Sequence, residues 1–325
     1  MARHPLLVHF ARISVSIFFF WAVSSRVSWD SLWGTVIGVE PFFFALSCLT
    51  MLVNPWFLAK KFESLISSFS ESPGLWMLLR INLICLFYSI IIPTGVGVGV
   101  LRWYQMGRLG LDKVGASAVV VMERLLYLAI TVLFVLLALV FSGDSVVRVL
   151  REALVPMTLL AGGGVASMIC FFAVSRFNRL GTVALDWFER TRSLAPDRVM
   201  LLRSFSSKFV GRWRELASAG CWGIAWQAVY CFRIYMIFLS LQIPMRIETI
   251  VWVASLILLL QVLPISYLGL GIRESAYAFI FLQYGLPPEQ GVSVGLLSFL
   301  QMVFAGLLGW FLVLKDSLVK RARVQ

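Results

Sequence analysis

The sequence predicts an all-α fold, a polytopic bundle of transmembrane helices with about eight membrane segments. Of its 325 residues, 60% are hydrophobic and only 14% are charged, and the mean hydropathy is +0.90. Soluble globular proteins carry about 25% charged residues, so most of this surface faces something other than water. Apolar runs near the length of a membrane helix, about 20 residues, recur between clusters of Arg and Lys. We therefore expect a single integral membrane domain over residues 1–325.

The apolar runs place the predicted helices along the chain. The first run resembles a signal peptide, but its apolar stretch is longer than the hydrophobic region of one and it lacks a clear cleavage site, so we expect a retained helix. The second run ends at Lys60 and Lys61. The predicted segments are residues 6–25, 36–58, 76–92, 116–141, 153–174, 217–241, 250–262 and 292–314, with a short apolar piece at 276–284.

The charge pattern predicts an orientation and excludes several classes of function. The net charge is +12, but the basic residues lie between apolar runs, as expected for orientation signals and headgroup contacts, so no nucleic-acid partner is predicted. Residues 175–214 are rich in Arg and predict a basic amphipathic segment on the cytoplasmic leaflet; the alternative is a solvated loop that only sets topology. With Lys60, Lys61 and the basic C-terminal tail, this segment places both termini in the cytoplasm.

Chemical motifs are sparse. The five cysteines lie singly in apolar runs, and the only histidines are His4 and His9, so neither a metal site nor a cofactor is predicted. There is no G-x-S-x-G elbow, Walker A motif or dinucleotide-binding fingerprint. We therefore predict no catalytic residues and a protein that is not an enzyme.

Two interrupted segments match each other. Pro93 precedes Arg102 by nine residues, and Pro264 precedes Arg273 by nine; Gly110-Leu111 and Gly285-Leu286 follow them. This spacing predicts a repeat with copies at residues 76–142 and 248–314. Since one more crossing separates the copies, their orientations are opposite, as in the inverted repeats of many transporters. The predicted helix-break residues are Pro93, Gly95, Gly97, Gly99, Pro264, Gly269 and Gly271.

The breaks predict a site for an anion. Backbone groups freed from a helix cannot face lipid, so they line protein or a wet cavity. A short helix that starts at the break points its positive N-terminal end into that cavity. With Arg102 and Arg273 nearby, the cavity suits an anion such as a lipid phosphate.

Charged residues inside the apolar runs supply the candidate substrate-binding residues. Their functional interpretation is that the arginines contact a headgroup and the carboxylates balance them or carry protons. The structural alternative is that the charges form salt bridges that pin the two copies together. Arg80 and Arg233 are interpreted as interfacial or snorkelling residues. The candidate substrate-binding residues are Arg102, Glu123, Arg124, Arg273 and Glu274.

The sequence resembles the lysylphosphatidylglycerol synthase transmembrane-region family, also called flippase-like domain proteins. The resemblance covers nearly the whole chain and rests on the Pro93-to-Arg102 segment, the Glu123-Arg124 pair and residues 263–274, Leu-Pro-Ile-Ser-Tyr-Leu-Gly-Leu-Gly-Ile-Arg-Glu. It implies the region that flips an aminoacylated phospholipid, in the bacterial cytoplasmic (inner) membrane, without the synthase domain. At Val98 and Val100 an acidic residue is often found in the family, so the resemblance does not extend to a proton-coupled role there.

These observations lead to two functional hypotheses. The first is a flippase or translocase that moves an anionic phospholipid or lipid-linked glycan across the inner membrane, with the headgroup held by intramembrane Arg and helix N-termini. The second is a non-transporting membrane anchor or regulatory subunit for a partner such as a lipid-modifying enzyme or glycosyltransferase. Membrane lipids are the predicted partners in the first hypothesis.

Overall fold

The computed structural model describes residues 28–67, 73–91, 95–142, 209, 211–262 and 271–322. The predicted runs 6–25 and 153–174, most of the segment 175–214, and Pro93, Pro264 and Gly269 lie outside these residues. The regular structure within the described ranges is helical. Its helices are α1 Trp29–Ile37, α2 Pro41–Ile66, α3 Leu75–Ile91, α4 Gly95–Arg108, α5 Lys113–Ser142, α6 Trp213–Ser240, α7 Ile247–Val262, α8 Ile272–Gln283 and α9 Pro288–Ala322.

Helix length separates membrane-spanning elements from shorter ones. Helices α2, α5, α6 and α9 are long and apolar enough to cross a bilayer, and α3 and α7 are shorter apolar helices. Helices α4 and α8 have 14 and 12 residues. At about 1.5 Å per residue, neither crosses a hydrocarbon core of about 30 Å. The prediction of an all-α polytopic bundle is therefore confirmed.

Helices α2 and α6 form an antiparallel pair that gives the bundle two ends. At the start of α2, the Glu40 N–H donates to the Ser240 carbonyl at 2.7 Å. Near the end of α2, the Ser64 hydroxyl lies 3.0 Å from that of Ser218. We call the end at which α2 finishes the Ile66 end, and the opposite one the Ser240 end.

Helices α3 and α4 form a hairpin that opens at the Ile66 end. Helix α3 begins shortly after α2 finishes there. Helix α4 returns to the same end, because Met106 near its C-terminus packs in one core cluster with Leu65 and Ile66. The Trp103 indole N–H donates to the Lys113 carbonyl at the start of α5, at 3.3 Å.

Helices α7 and α8 form a second hairpin, which opens at the Ser240 end. Helix α7 starts beside the end of α6 and descends, since Ser255 accepts a hydrogen bond from Gln227 in the middle of α6 at 3.2 Å. Helix α8 returns, because Phe281 near its C-terminus lies against Phe238 near the end of α6, with ring centroids 5.6 Å apart. The two hairpins thus enter the bundle from opposite ends.

The helices of the two predicted copies also pack reciprocally. The third helix of one copy, α5, contacts the first helix of the other, α7, and the third helix α9 contacts the first helix α3. Each short helix is followed by a glycine with positive φ, Gly110 at 91° and Gly285 at 69°. This arrangement supports the inverted repeat of residues 76–142 and 248–314, which stays a prediction.

The first helix break differs from the one predicted. Helix α4 begins at Gly95, so Gly97 and Gly99 are helical and their prediction as break residues is wrong. Glycine is a poor helix former, but backbone groups without partners are costlier still in a membrane, and this favours helix through the glycines. In the second copy Gly271 lies directly before α8 with a φ of 80°, a conformation that glycine adopts without steric penalty.

Helix α2 extends past its predicted end. The second apolar run was expected to stop before Lys60 and Lys61, but the helix continues through both to Ile66. Phe62, Leu65 and Ile66 prolong its buried face, and side chains three and four residues apart lie on one face of a helix. The Lys61 side chain therefore lies in the core and not at a helix end, since only 2% of it is exposed; the cytoplasmic orientation of this end stays a prediction.

Candidate functional site

The charged side chains buried in the bundle carry excess positive charge. Among the described residues, four cations and two carboxylates are buried, namely Lys61, Arg102, Arg233, Arg273, Glu123 and Glu274. They lie in two groups. The Glu123 cluster consists of Lys61, Arg102, Glu123 and Arg124, and the Arg233 cluster consists of Ser47, Tyr230, Arg233, Arg273, Glu274, Tyr277 and Gln301.

The Glu123 cluster joins α2, α4 and α5 around one carboxylate. The Lys61 ammonium donates to Glu123 Oε1 at 3.1 Å and to the Glu123 carbonyl at 3.3 Å. Arg102 Nη1 lies 3.7 Å from Glu123 Oε2, and Arg124 Nε lies 3.9 Å from the same oxygen. Arg124 stands at the rim, since 42% of its side chain is exposed. Three cations therefore surround one carboxylate.

Neighbouring side chains shape this cluster. The Arg102 guanidinium lies 4.8 Å from the centre of the Phe62 ring, a favourable cation–π geometry. Gly223 of α6 leaves room for Ile130 of α5, because a Cβ at that position would clash with Ile130 Cδ1, whereas it would only touch the Lys61 stem at an ordinary contact distance. The adjacent residues Lys61 and Phe62 thus both belong to this site, Lys61 by binding Glu123 and Phe62 by packing against Arg102.

Arg233 is held by neutral groups from three helices. Its Nη1 donates to Gln301 Oε1 at 2.8 Å. Gln301 Nε2 donates to the Ser47 hydroxyl at 2.8 Å, and that hydroxyl donates to the Arg233 carbonyl at 3.1 Å. The guanidinium also lies 4.9 Å from the centre of the Tyr230 ring. This buried cation therefore has hydrogen-bond and ring partners that carry no charge.

Arg273 and Glu274 pair directly at the start of α8. Arg273 Nη2 and Nε lie 2.6 and 3.0 Å from Glu274 Oε1. Glu274 Oε2 accepts the Gly271 N–H at 2.8 Å, so this carboxylate caps the helix and meets its positive end. At this N–H, the Glu274 carboxylate already fills the place that was predicted for a bound anion. Arg273 also lies over the Phe299 ring, 5.6 Å from its centre.

The structure distributes the predicted residues over the two clusters. It brings Arg102, Glu123 and Arg124 together, and it brings Arg273 and Glu274 together. Within the described residues, Glu123 and Glu274 form no salt bridge between the two predicted copies. The described ion pairs of these two carboxylates therefore do not connect the two copies, as the structural alternative had them do.

Aromatic side chains connect the two clusters. Tyr127 lies one helical turn after Glu123 and packs against Trp226, with ring centroids 5.6 Å apart. Trp226 stacks on Tyr230 at 5.9 Å, and Tyr230 lies beside Arg233. A continuous row of π-systems therefore runs from one cluster to the other.

Lys61 and Arg233 are site residues that the sequence interpretation missed. The prediction that Arg233 is interfacial is wrong, because its side chain is buried at 5% exposure. Its position eight residues before the end of the predicted run is a signal of depth. Arg80, by contrast, is partly buried and pairs with Asp316 of α9. In the part of the chain that the structure describes, no group of three or more His, Cys, Asp or Glu could hold a metal ion.

Long apolar helices, paired hairpins and buried charge define a polytopic α-helical membrane protein. The family described as the lysylphosphatidylglycerol synthase TM region matches residues 9–309. The chain therefore belongs to this family, and the predicted resemblance is confirmed over nearly its whole length. The matched region is the flippase-like transmembrane part of the family. No curated protein matches the chain.

Proposed function

We propose that the protein is a translocase that moves an anionic phospholipid or lipid-linked glycan across the bacterial cytoplasmic membrane. Membership of a flippase-like family supports this proposal. The observation that carries it is Arg233, a buried cation whose described partners are the neutral amide of Gln301 and the ring of Tyr230.

The charge balance explains why an anion belongs in this bundle. A charge at the centre of a membrane helix costs about 2.5–3.5 kcal/mol on insertion scales. Among the described residues, the buried carboxylates Glu123 and Glu274 balance only two of the four buried cations. Retaining the other two without a ligand is unfavourable, and a headgroup that carries negative charge offsets that cost.

The hairpins offer a route between the two faces of the membrane. One hairpin opens at each end of the α2–α6 pair, and a charged cluster lies beside each. We propose that the headgroup is held in turn by the Glu123 and Arg233 clusters, along the row of Tyr127, Trp226 and Tyr230. Reciprocal packing of α3 with α9 and of α5 with α7 would let the two copies rock against each other around this row.

The orientation is part of the proposal. The positive-inside rule places the Ile66 end in the cytoplasm, because the basic residues Lys315, Lys320 and Arg321 lie in the last turns of α9, at that end. The Arg233 cluster would then lie in the outer half of the membrane. Both termini would lie on the cytoplasmic side.

Lipid movement in proteoliposomes tests the proposal. Vesicles with fluorescent phosphatidylglycerol or a fluorescent lipid-linked glycan are treated with an impermeant quencher, which bleaches only outer-leaflet lipid. We expect the native protein to make most of the lipid accessible, and Arg233→Gln to slow this at least about tenfold, equivalent to about 1.4 kcal/mol. The matched control is Arg246→Gln, since Arg246 lies outside the bundle with 77% of its side chain exposed.

Two outcomes would contradict the proposal. If folded native protein moves no lipid of the panel, the anchoring or regulatory role becomes the better account. If Arg233→Gln and Arg246→Gln move lipid at the native rate, the buried charge does not serve transport.

A further inference from the structure

We infer that Arg233, Arg273 and Tyr277 form a binding site for the phosphodiester group of an anionic phospholipid. This inference rests on the proposed function and gives it a location and a chemical class. The site lies in the half of the bundle nearer the Ser240 end, where α6, α8 and α9 meet.

The three helices bring their polar groups to one place. Arg233 of α6 is fixed by Gln301 of α9 at 2.8 Å. Arg273 of α8 lies over the ring of Phe299, which also belongs to α9, at 5.6 Å from its centre. Tyr277 follows Arg273 by one helical turn, so both lie on one face of α8. Tyr277 packs in the same buried core cluster as Tyr230, and the Arg233 guanidinium lies 4.9 Å from the centre of the Tyr230 ring.

Two donors at this place have no partner among the described residues. The Tyr277 side chain is 0% exposed, and its hydroxyl makes no hydrogen bond there. The Nε of Arg233 is likewise buried without a hydrogen-bond partner. A buried donor that is left without an acceptor is destabilising, and native proteins rarely keep one unless something else satisfies it. An oxyanion between these groups would accept from both.

The charge of the site selects the kind of anion. Arg233 and Arg273 carry two positive charges, and Glu274 carries one negative charge that is already bound to Arg273. The remaining charge is +1. A phosphodiester carries a single negative charge and two free oxygens, which matches this remainder and the two separate donors. A phosphate monoester, with nearly two charges, would leave the buried site negative.

The Glu123 cluster is less suited to bind an anion. There the Lys61, Arg102 and Arg124 side chains all lie within 4 Å of the Glu123 carboxylate. An incoming anion must compete with that carboxylate for each cation. At Arg233 the hydrogen-bond acceptor is the neutral Gln301 amide, so no carboxylate bound to that guanidinium competes with the incoming anion.

Binding measured on the whole purified protein tests the site without transport. The probe is short-chain phosphatidylglycerol, titrated in a neutral detergent and read by native mass spectrometry and thermal shift. Tyr277→Phe removes only the hydroxyl and should weaken binding about tenfold; Arg233→Gln should weaken it about 100-fold. The control is Tyr284→Phe, the same change at the C-terminal end of α8. It should bind as the native protein does.

Each competing ligand has a distinct outcome. Inorganic phosphate and glycerophosphoglycerol should not displace the lipid at equal concentration, and displacement by either would overturn the lipid as the source. Equal binding of oleate, a singly charged carboxylate, would overturn the phosphodiester as the group that is bound.

The variants test the location of the site. Native affinity in Tyr277→Phe, or the same loss of affinity in Tyr284→Phe, would overturn the site. Should the native protein still move lipid in that case, the proposed function stands and only this inference fails. If the native protein binds phosphatidylglycerol tightly but moves no lipid, the binding site stands and the proposed function fails.

Discussion

The buried pair of Lys61 and Glu123 gives the sharpest test of the packing. The Lys61 ammonium lies 3.1 Å from Glu123 Oε1, which corresponds to about 5 kcal/mol of attraction at an effective dielectric constant of about 20. Arg102, at 3.7 Å, still neutralises the carboxylate after Lys61→Met. We therefore expect that variant to lose about 3 kcal/mol of stability, the lower end for a broken buried pair.

The opposite substitution is expected to cost more. Glu123→Met leaves Lys61 and Arg102 buried together as like charges without the carboxylate, and we expect a loss of about 5 kcal/mol. In the double variant Arg102 is the one buried charge of this cluster that remains, beside the half-exposed Arg124. The stability lost by the double variant should be smaller than the sum of the two single losses by at least about 2 kcal/mol, which is the interaction energy of the double-mutant cycle.

Thermal unfolding in one detergent–lipid mixture measures these differences. At about 2 °C per kcal/mol, Lys61→Met should melt about 6 °C and Glu123→Met about 10 °C below the native protein. The matched control is Lys60→Met. Lys60 pairs with Glu63 at 2.8 Å but is partly exposed, so its loss should stay below about 1 kcal/mol. Equal shifts for Lys60→Met and Lys61→Met, or a cycle additive within about 0.5 kcal/mol, would refute the buried pair.

Two further predictions concern topology and close packing. In a cysteine-free background, Arg246→Cys and Pro287→Cys should react with an impermeant maleimide from one side of the membrane and Arg108→Cys from the other. Labelling of Arg246→Cys and Arg108→Cys from the same side would rule out hairpins that enter from opposite ends. Gly291→Ala should lower the melting temperature by about 2–6 °C, because its Cβ would lie 2.8 Å from the Tyr277 carbonyl. Gly220→Ala has open space and should be neutral or stabilising; equal effects of the two would contradict the contact.

Composition was sufficient for the class of fold, and local spacing indicated two interrupted segments. Hydropathy marks a helix by its own residues, and a proline followed by glycines marks a break by local chemistry. The Arg273-Glu274 pair was also visible, because both partners are adjacent in sequence and the carboxylate caps its own helix.

The remaining site residues depend on contacts between distant parts of the chain. Lys61 meets a partner 62 positions away, and Gln301 binds Ser47 across 254 positions. The second apolar run ends at Lys60 and Lys61, so the sequence predicted a helix end there. Arg233 lies inside its apolar run, but an arginine in a single sequence was interpreted as snorkelling to the interface. Only the packing of α2 against α5 and α6 distinguishes a buried lysine from an interfacial one.

The two hairpins resemble each other in path but not in chemistry. Arg102 is the eighth residue of α4, whereas Arg273 is the second residue of α8, so nine-residue spacing from a proline does not place them equivalently. One cluster encloses a carboxylate bound by three cations, and the other leaves an arginine with a neutral partner. For the proposed translocase, we expect this difference to make the anion affinity higher near the Ser240 end than near the Ile66 end. With two sites of unequal affinity, the headgroup would be held at the Arg233 cluster near the Ser240 end. It would be released easily at the Glu123 cluster near the Ile66 end.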